Sequence, residues 1–181
     1  MKKILILSSL LIALTSCGSS TSSDTATKAF TGTWFTMNVP STWVSVEQKT
    51  LPNTKNGKIE LALTSSEIAA GFANNLVILS EDLSENSTSV KYAITNYVRT
   101  TWSVQDFTKL NESDFTFGDE DPGKLYTFEA KYSTQTPKRK FLQTAKICNK
   151  KAYLVTIWIN LDNNNVAKYE ELLKSFNCVK K

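Results

Sequence analysis

Two apolar segments late in the chain constrain the fold most. Residues 138–148 and 151–159 flank the two-residue turn Asn149-Lys150, which is typical of a β-hairpin. In the second segment apolar side chains occupy both alternating sets of positions, with Tyr153, Val155, Ile157 and Ile159 in one set and Leu154 and Trp158 in the other. Side chains of a strand alternate between the two faces of its sheet, so a strand that is apolar in both sets must be covered on both faces. The sequence therefore predicts a sheet with a packed layer on each side.

Two segments have the apolar spacing of helices that could supply those layers. The first is predicted to begin at a cap formed by Ser87 or Thr88, and the second after residues 162–165. The apolar positions expected to face the sheet are Val90, Ala93, Ile94, Tyr97, Val98 and Trp102 in the first helix, and Val166, Tyr169, Leu172, Leu173 and Phe176 in the second.

The remaining strands are expected at residues 33–39, 43–47, 58–63, 75–79, 106–110, 114–117 and 124–132, where apolar or alternating runs are separated by turn residues. Together these segments predict a single α+β domain over residues 30–181, with a central antiparallel β-sheet flanked by helices. The four tryptophans lie in apolar patterns and are interpreted as core residues: Trp34, Trp43, Trp102 and Trp158.

The N-terminus has the layout of a secretory signal. Lysines at positions 2 and 3 precede the apolar run 4–14, which is about half the ~20 residues that a membrane-spanning helix needs. The following Leu-Thr-Ser-Cys resembles the bacterial lipobox, whose cysteine carries diacylglycerol and becomes the first residue after cleavage. We therefore predict a signal peptide at residues 1–16, lipidation of Cys17, and a flexible tether over residues 17–29. The alternative is a soluble secreted protein that is cleaved elsewhere.

A lipidated Cys17 would place the protein in the cell envelope, anchored to a membrane and facing the periplasm or the exterior. Acyl chains on this cysteine, palmitate among them, would hold it there, because each buried methylene contributes ~0.8 kcal/mol. Gly18 and Ser19 lack the aspartate that retains lipoproteins at the inner membrane, so the outer membrane is favoured if the source has two membranes. The formal net charge of +4 falls to about +2 when Lys2 and Lys3 are removed with the signal, and no nucleic-acid partner is predicted.

Two cysteines remain once Cys17 is assigned to lipid. A disulfide between Cys148 and Cys178 is expected, because the compartment is oxidising and the number of thiols is even. Two alternatives stay open, namely a pair of free thiols and a redox-active or metal-binding pair. The last lacks C-x-x-C spacing.

The chain has no histidine, which excludes Ser/His/Asp and Cys/His triads and histidine-ligated zinc. No nucleotide-binding or serine-hydrolase motif occurs, and no cofactor or metal is predicted. The carboxylates at 119–121 are interpreted as a solvated turn, with a weak cation site as the alternative. Lys138, Arg139 and Lys140 could form a basic patch that binds a partner, although lysines at a strand edge also prevent edge-to-edge association.

Several short motifs resemble the PsbP-like superfamily, which includes the extrinsic photosystem II subunit, the Ran-binding Mog proteins and DcrB-like bacterial lipoproteins. They are the opening F-x-x-x-W-F-T-M-N-V-P-S-T-W at 30–43, the Y-L-V-T-I-W-I strand at 153–159, and the closing K-S-F at 174–176. The resemblance implies an α/β/α sandwich that serves as a binding or assembly module without a shared catalytic site. It carries no functional residue over to this chain.

The leading hypothesis is a non-enzymatic, membrane-anchored lipoprotein of the cell envelope that binds another envelope component and assists its assembly or stability. A carrier of a small ligand or a cation, with a pocket between sheet and helix, is the alternative. A hydrolase that uses carboxylates or lysine alone is the third hypothesis. The sequence leaves the partner and the oligomeric state open.

Overall fold

The computed structural model describes residues 26–51, 54, 57–69 and 71–179. The predicted signal peptide and Cys17 lie outside these residues. Within them the order of elements is β1 Thr27–Thr31, β2 Phe35–Pro40, β3 Val44–Ser45, β4 Lys58–Ala69, β5 Phe72–Asp82, α1 Ser89–Ser103, β6 Gln105–Thr116, β7 Pro122–Lys131, β8 Arg139–Cys148, β9 Lys151–Ile159, α2 Val166–Lys174 and β10 Asn177–Cys178.

The main sheet has seven antiparallel strands in the order β3-β4-β5-β9-β8-β7-β6. The predicted hairpin is confirmed as β8 and β9, and it lies in the middle of the sheet. Its turn residues Asn149 and Lys150 have φ values of 52° and 62°, the left-handed conformation that a tight two-residue hairpin requires. The sheet is therefore organised around the segment that is apolar on both faces.

One side of this sheet, which we call the α2 face, packs against α2 and a small sheet of order β1-β2-β10. Strand β9 presents the predicted apolar set to this face, and α2 contributes its predicted stripe, with Leu173 and Phe176 fully buried. Trp43, just after β2, is buried in the same cluster and confirms that core prediction. Phe176 follows the end of α2, so its side chain closes the core from the loop that leads into β10.

The opposite side, which we call the α1 face, packs against α1. The helix packs mainly on β7 and β8, makes fewer contacts with β6 and β9, and reaches β5 at Glu81, near the end of that strand. Beneath it lies an aromatic layer that includes Tyr126, Phe128 and Phe141, the last two with stacked rings 5.0 Å apart. A sheet with helices on both faces confirms the predicted α+β sandwich, and the small sheet beside α2 adds to it.

Helix α1 begins where predicted, because Thr88 caps it by accepting a hydrogen bond from the Lys91 amide at 3.1 Å. Its orientation differs from the prediction. The buried residues are Ser89, Tyr92, Ala93 and Asn96, while Ile94, Val98 and Trp102 are exposed.

The core interpretation of Trp102 is therefore wrong, since this side chain is 82% exposed. The sheet-facing side of α1 instead combines two aromatic residues, Tyr92 and Tyr97, with the small or polar Ser89, Ala93 and Asn96. Thr100 donates a hydrogen bond to Gln143 at 3.2 Å, and Tyr92 donates one to Glu81 at 2.6 Å. Of the predicted stripe, Ala93 is buried and the Tyr97 ring stacks on Tyr126 at 3.9 Å, which confirms that part of the prediction, and the polar bonds add to these contacts.

Several strands are longer than the apolar patterns in the sequence predicted. Residues 106–110 and 114–117 lie largely in one strand, β6, which is an edge strand with mostly exposed polar side chains and two register shifts. Charged edge strands show little apolar periodicity, so their extent is hard to predict.

Strand β1 begins at Thr27, inside the segment expected to be the tether. Among the described residues, neither helix is long and apolar enough to cross a membrane.

Candidate functional site

The β4–β5 half of the α1 face carries a large cavity. Ile59 of β4 and the Val77 and Leu79 side chains of β5 form its floor, beside Phe141 of β8 and Trp158 of β9. Leu51 and Thr54 line it from the segment before β4, and Tyr132, Thr136 and Pro137 line it from the connection between β7 and β8. The cavity measures about 610 Å³, which is within the range of small-molecule sites in proteins.

This cavity lies where α1, which packs mainly on β7 and β8, leaves Ile59 of β4 and Val77 of β5 uncovered. Val77 and Leu79 alternate with Leu76 and Ile78, which are buried on the α2 face. A strand that is apolar on both faces is thus covered by a packed layer on one side and by loops on the other. None of the residues that line the cavity belongs to α1, so it lies beside the helix and not between helix and sheet.

Arg139, the first residue of β8, is the charged side chain of the lining. Its guanidinium carbon lies 4.2 Å from the centre of the Phe72 ring, a cation–π contact at the β5 end of the cavity. Among the described residues no carboxylate lies within ion-pairing distance of Arg139. The site is therefore apolar with one unneutralised cation at its margin.

Aromatic side chains form one wall. The rings of Tyr132 and Trp158 stack with centroids 6.4 Å apart, and Phe141 lies 5.7 Å from Trp158. The indole N–H of Trp158 is buried and has no acceptor among the described residues. Trp158 is half-buried against the aromatic layer, so its core interpretation is confirmed in part.

The three residues of the predicted basic patch do not lie together. Lys138 is on the surface near β6 and β7, where its ammonium lies 3.6 Å from Glu129 and donates to Thr108 at 2.9 Å. Arg139 lines the cavity. Lys140 is only 7% exposed, and its ammonium donates to the Asn163 carbonyl at 2.9 Å. Successive strand residues point to opposite faces, so three consecutive cations cannot share one surface within a covered sheet.

Two of the three carboxylates at 119–121 form ion pairs with a lysine of the same chain. Lys146, 1% exposed, places its ammonium 2.5 Å from Asp119 and 3.2 Å from Asp121. Its ammonium also lies 4.5 Å from the centre of the Phe117 ring. Burial raises the pKa of Asp119, but the hydrogen bond and charge of Lys146 outweigh it and hold that pKa below its usual value. The turn is thus a structural ion-pair site that neutralises a buried lysine.

Two thiols and three phenols of the described residues are held in forms that are poorly reactive at neutral pH. Cys148 and Cys178 form the expected disulfide, with their Cα atoms 5.4 Å apart. Burial raises the pKa of Tyr92, Tyr126 and Tyr153 to about 12, so these phenols stay protonated at neutral pH. In Tyr92 the hydrogen bond to Glu81 adds to the effect of burial.

A second feature of the surface is the outer side of α1. Ile94, Val98 and Trp102 are spaced four residues apart, which places them along one stripe of the helix. Each is more than two-fifths exposed. We call these three residues the α1 stripe. Lys91 and Arg99, both exposed, are its charged neighbours along the helix.

Sequence reasoning named Arg139 only as part of a surface patch and did not find the cavity. One signal was available, because Val77 and Leu79 are apolar on a strand whose other side is also apolar. Which element would cover that second side depends on where α1 lies, and periodicity does not specify this. The α1 stripe was visible as an apolar repeat but was interpreted as core.

Comparison with known proteins shows the fold. No protein-family model and no curated protein matches the chain. The solution structure of cyanobacterial PsbP (CyanoP) from Synechocystis sp. PCC 6803 superposes with a TM-score of 0.59 at 13% identity, covering 92% of this chain and 99% of that one. The chain therefore has a PsbP-like fold, as the sequence motifs implied.

Two further solved structures are similar to the chain. A crystal structure from Bacteroides thetaiotaomicron VPI-5482 has a TM-score of 0.52 at 14% identity, covering 87% of this chain and 50% of that one. A protein of unknown function from Pseudomonas aeruginosa has a TM-score of 0.52 at 9% identity, covering 86% of this chain and 99% of that one. At these identities the likeness extends to the fold alone.

Proposed function

We propose that this chain is a non-enzymatic lipoprotein of the bacterial cell envelope, anchored through Cys17, whose PsbP-like domain is an accessory module that binds a partner protein through the α1 stripe. The observation that carries the proposal is the exposure of Ile94, Val98 and Trp102 on one side of α1. The lipobox-like sequence supports the location. The absence of histidine, the disulfide-bonded thiols and the raised phenol pKa values support a role in binding.

The α1 stripe has the composition of a protein contact. Contiguous exposed apolar side chains mark interaction surfaces on soluble domains, and tryptophan is enriched among the residues that dominate binding energy. At 82% exposure Trp102 makes little contribution to the packing of the domain. The opposite side of α1 is fixed to the sheet by the hydrogen bonds of Tyr92 and Thr100, so the stripe is presented on a rigid element.

Changing Cys17 to serine is expected to abolish lipidation, because serine has no thiol to take the diacylglycerol. Cells that express the chain are fed a palmitate analogue carrying an alkyne, and the isolated protein is assayed for label. We expect label in the wild type and in Cys148→Ser/Cys178→Ser, and none in Cys17→Ser. Label that persists in Cys17→Ser would contradict the anchor.

Replacing the three residues of the α1 stripe with glutamines is expected to weaken binding of the partner protein. Wild type and Ile94→Gln/Val98→Gln/Trp102→Gln are cross-linked in intact cells, and the captured envelope proteins are quantified by mass spectrometry. Losing a tryptophan-centred contact costs about 2 kcal/mol or more, so we expect capture to fall more than tenfold. The variant should fold normally, since substitutions at exposed positions usually change stability by less than about 0.5 kcal/mol.

The matched control is Ile68→Gln/Leu110→Gln, which changes two exposed aliphatic residues outside α1, 74% and 47% exposed. This variant should capture the same proteins as the wild type. Equal capture by the α1-stripe variant, or no protein enriched by the wild type over cells lacking the chain, would show the proposal to be wrong. Loss of vesicle binding by the stripe variant, without a change in capture, would instead make the stripe a membrane contact.

A further inference from the structure

We propose that the cavity on the β4–β5 half of the α1 face binds a long-chain carboxylate, with the acyl chain on the apolar floor and the carboxylate paired with Arg139. This inference does not rest on the proposed protein contact, because no residue of α1 lines the cavity. The two proposals can therefore fail independently.

The floor and walls select an apolar ligand. Ile59, Val77 and Leu79 present aliphatic side chains, while Phe141 and Trp158 present aromatic ones. Sites for sugars or nucleotides need several converging polar groups. The uncharged polar groups of this lining are few, namely the hydroxyls of Thr54, Thr136 and Tyr132 and the indole N–H of Trp158. An acyl chain needs none, since its binding is driven by removing apolar surface from water.

The positive charge of Arg139 favours a ligand whose polar end is an anion. A guanidinium beside an apolar cavity is normally paired with an acid, yet Arg139 has no carboxylate partner among the described residues. Its planar fork of donors matches a carboxylate in a two-point hydrogen bond. Contact with the Phe72 ring restricts its position at the β5 end of the cavity, so a bound anion would meet a side chain that is already held in place.

This arrangement disfavours the cation carrier considered from the sequence. A cation would need oxygen ligands, and the cavity offers a guanidinium in their place. Among the described residues no cluster of three acidic or cysteine side chains is positioned to hold a metal ion. The charge and the apolar lining together indicate an anionic amphiphile.

The test uses the chain from residue 17 with Cys17→Ser, which retains every described element and carries no acyl chain of its own. cis-Parinarate, a naturally fluorescent fatty acid, is titrated into the protein below its aggregation concentration. We expect saturable binding at one site with a rise in emission, as the probe leaves water for the cavity. Dodecanoate, dodecanol and dodecyltrimethylammonium then compete for the bound probe, with the carboxylate the strongest competitor and the cation the weakest.

Two kinds of variant separate the two ends of the ligand. Arg139→Gln should weaken dodecanoate about tenfold or more, because a charge-assisted pair is lost, and leave dodecanol unchanged. Val77→Trp should fill the floor and abolish binding of both. Leu79→Trp serves the same purpose if the first variant does not fold, as judged by its thermal unfolding. Lys138→Gln removes the adjacent surface cation and is the matched control, expected to bind like the wild type.

The results that would overturn the proposal are distinct. Absence of saturable cis-parinarate binding, or binding unchanged by both tryptophan variants, would show that the cavity is not the site. Equal weakening of dodecanoate and dodecanol by Arg139→Gln would show that the guanidinium does not recognise the anion. Dodecyltrimethylammonium binding as tightly as dodecanoate would exclude the charge selection.

Discussion

Removing the disulfide between Cys148 and Cys178 is expected to lower the free energy of unfolding by roughly 3–4 kcal/mol, because the bond closes a loop of about thirty residues in the unfolded chain. The two cysteines are separated by 30 positions. For a domain of this size each kcal/mol shifts the melting temperature by about 2–4 °C, so the loss should be on the order of 10 °C. Cys148→Ala/Cys178→Ala and the wild type are compared by thermal and urea unfolding.

The effect should be concentrated at the C-terminal end. Strand β10 consists of two residues that pair with β2, and after it the Val179 amide donates to the Trp34 carbonyl at 3.0 Å. So short a strand has few hydrogen bonds to hold it once the link to β8 is gone. In hydrogen exchange, the Val179 amide should lose protection in the variant more than amides of β8 do.

The matched control for the disulfide is Cys17→Ser, which removes the one cysteine outside the bond. In a chain that carries no lipid, this change should leave both the melting temperature and the exchange pattern as in the wild type. A cysteine-to-alanine variant that loses less than about 1 kcal/mol would contradict the entropic argument.

The parts of the fold that local pattern determines were predictable from sequence. The β8–β9 hairpin follows from a two-residue turn between apolar segments, and the disulfide from the pair of cysteines that remains once Cys17 is predicted to carry lipid. Helix α2 buries the stripe that its spacing predicts, with Tyr169, Leu172 and Leu173 as its buried residues. The hairpin and the helix are each determined by residues close in sequence. The disulfide was predictable because only two cysteines remained to pair.

The candidate site was not predictable for a physical reason. Whether Val77 and Leu79 face a helix, a loop or a cavity depends on how far α1 extends across the sheet, and α1 is placed by contacts between residues distant in sequence. Helix α1 shows the same dependence, since its side with Tyr92 and Tyr97 packs on the aromatic layer of the sheet and leaves Trp102 exposed. Periodicity reports that a helix has an apolar stripe, but not that the stripe is the side that packs.

The buried lysine gives the second large effect. Asp119→Asn is expected to lower the free energy of unfolding by about 2–4 kcal/mol, because losing one partner of a buried ion pair leaves the other charge uncompensated. The loss should be smaller than is usual when one partner of a buried pair is removed, because Asp121, 3.2 Å from the Lys146 ammonium, remains as a second partner. Urea unfolding at neutral pH measures the loss. Glu120→Gln, in the same turn, is the matched control and should change stability by less than about 0.5 kcal/mol.

A double-mutant cycle shows whether the charge or the turn is responsible. Lys146→Met keeps an unbranched side chain against the Phe117 ring and removes the buried cation, so the carboxylate of Asp119 is no longer needed beneath it. We therefore expect Asp119→Asn/Lys146→Met to be more stable than Asp119→Asn alone, with a coupling free energy of about 1–3 kcal/mol. If the two losses simply add, the turn is held by its backbone, through bonds such as that from the Phe117 amide to the Asp121 carbonyl at 3.1 Å, and not by the buried lysine.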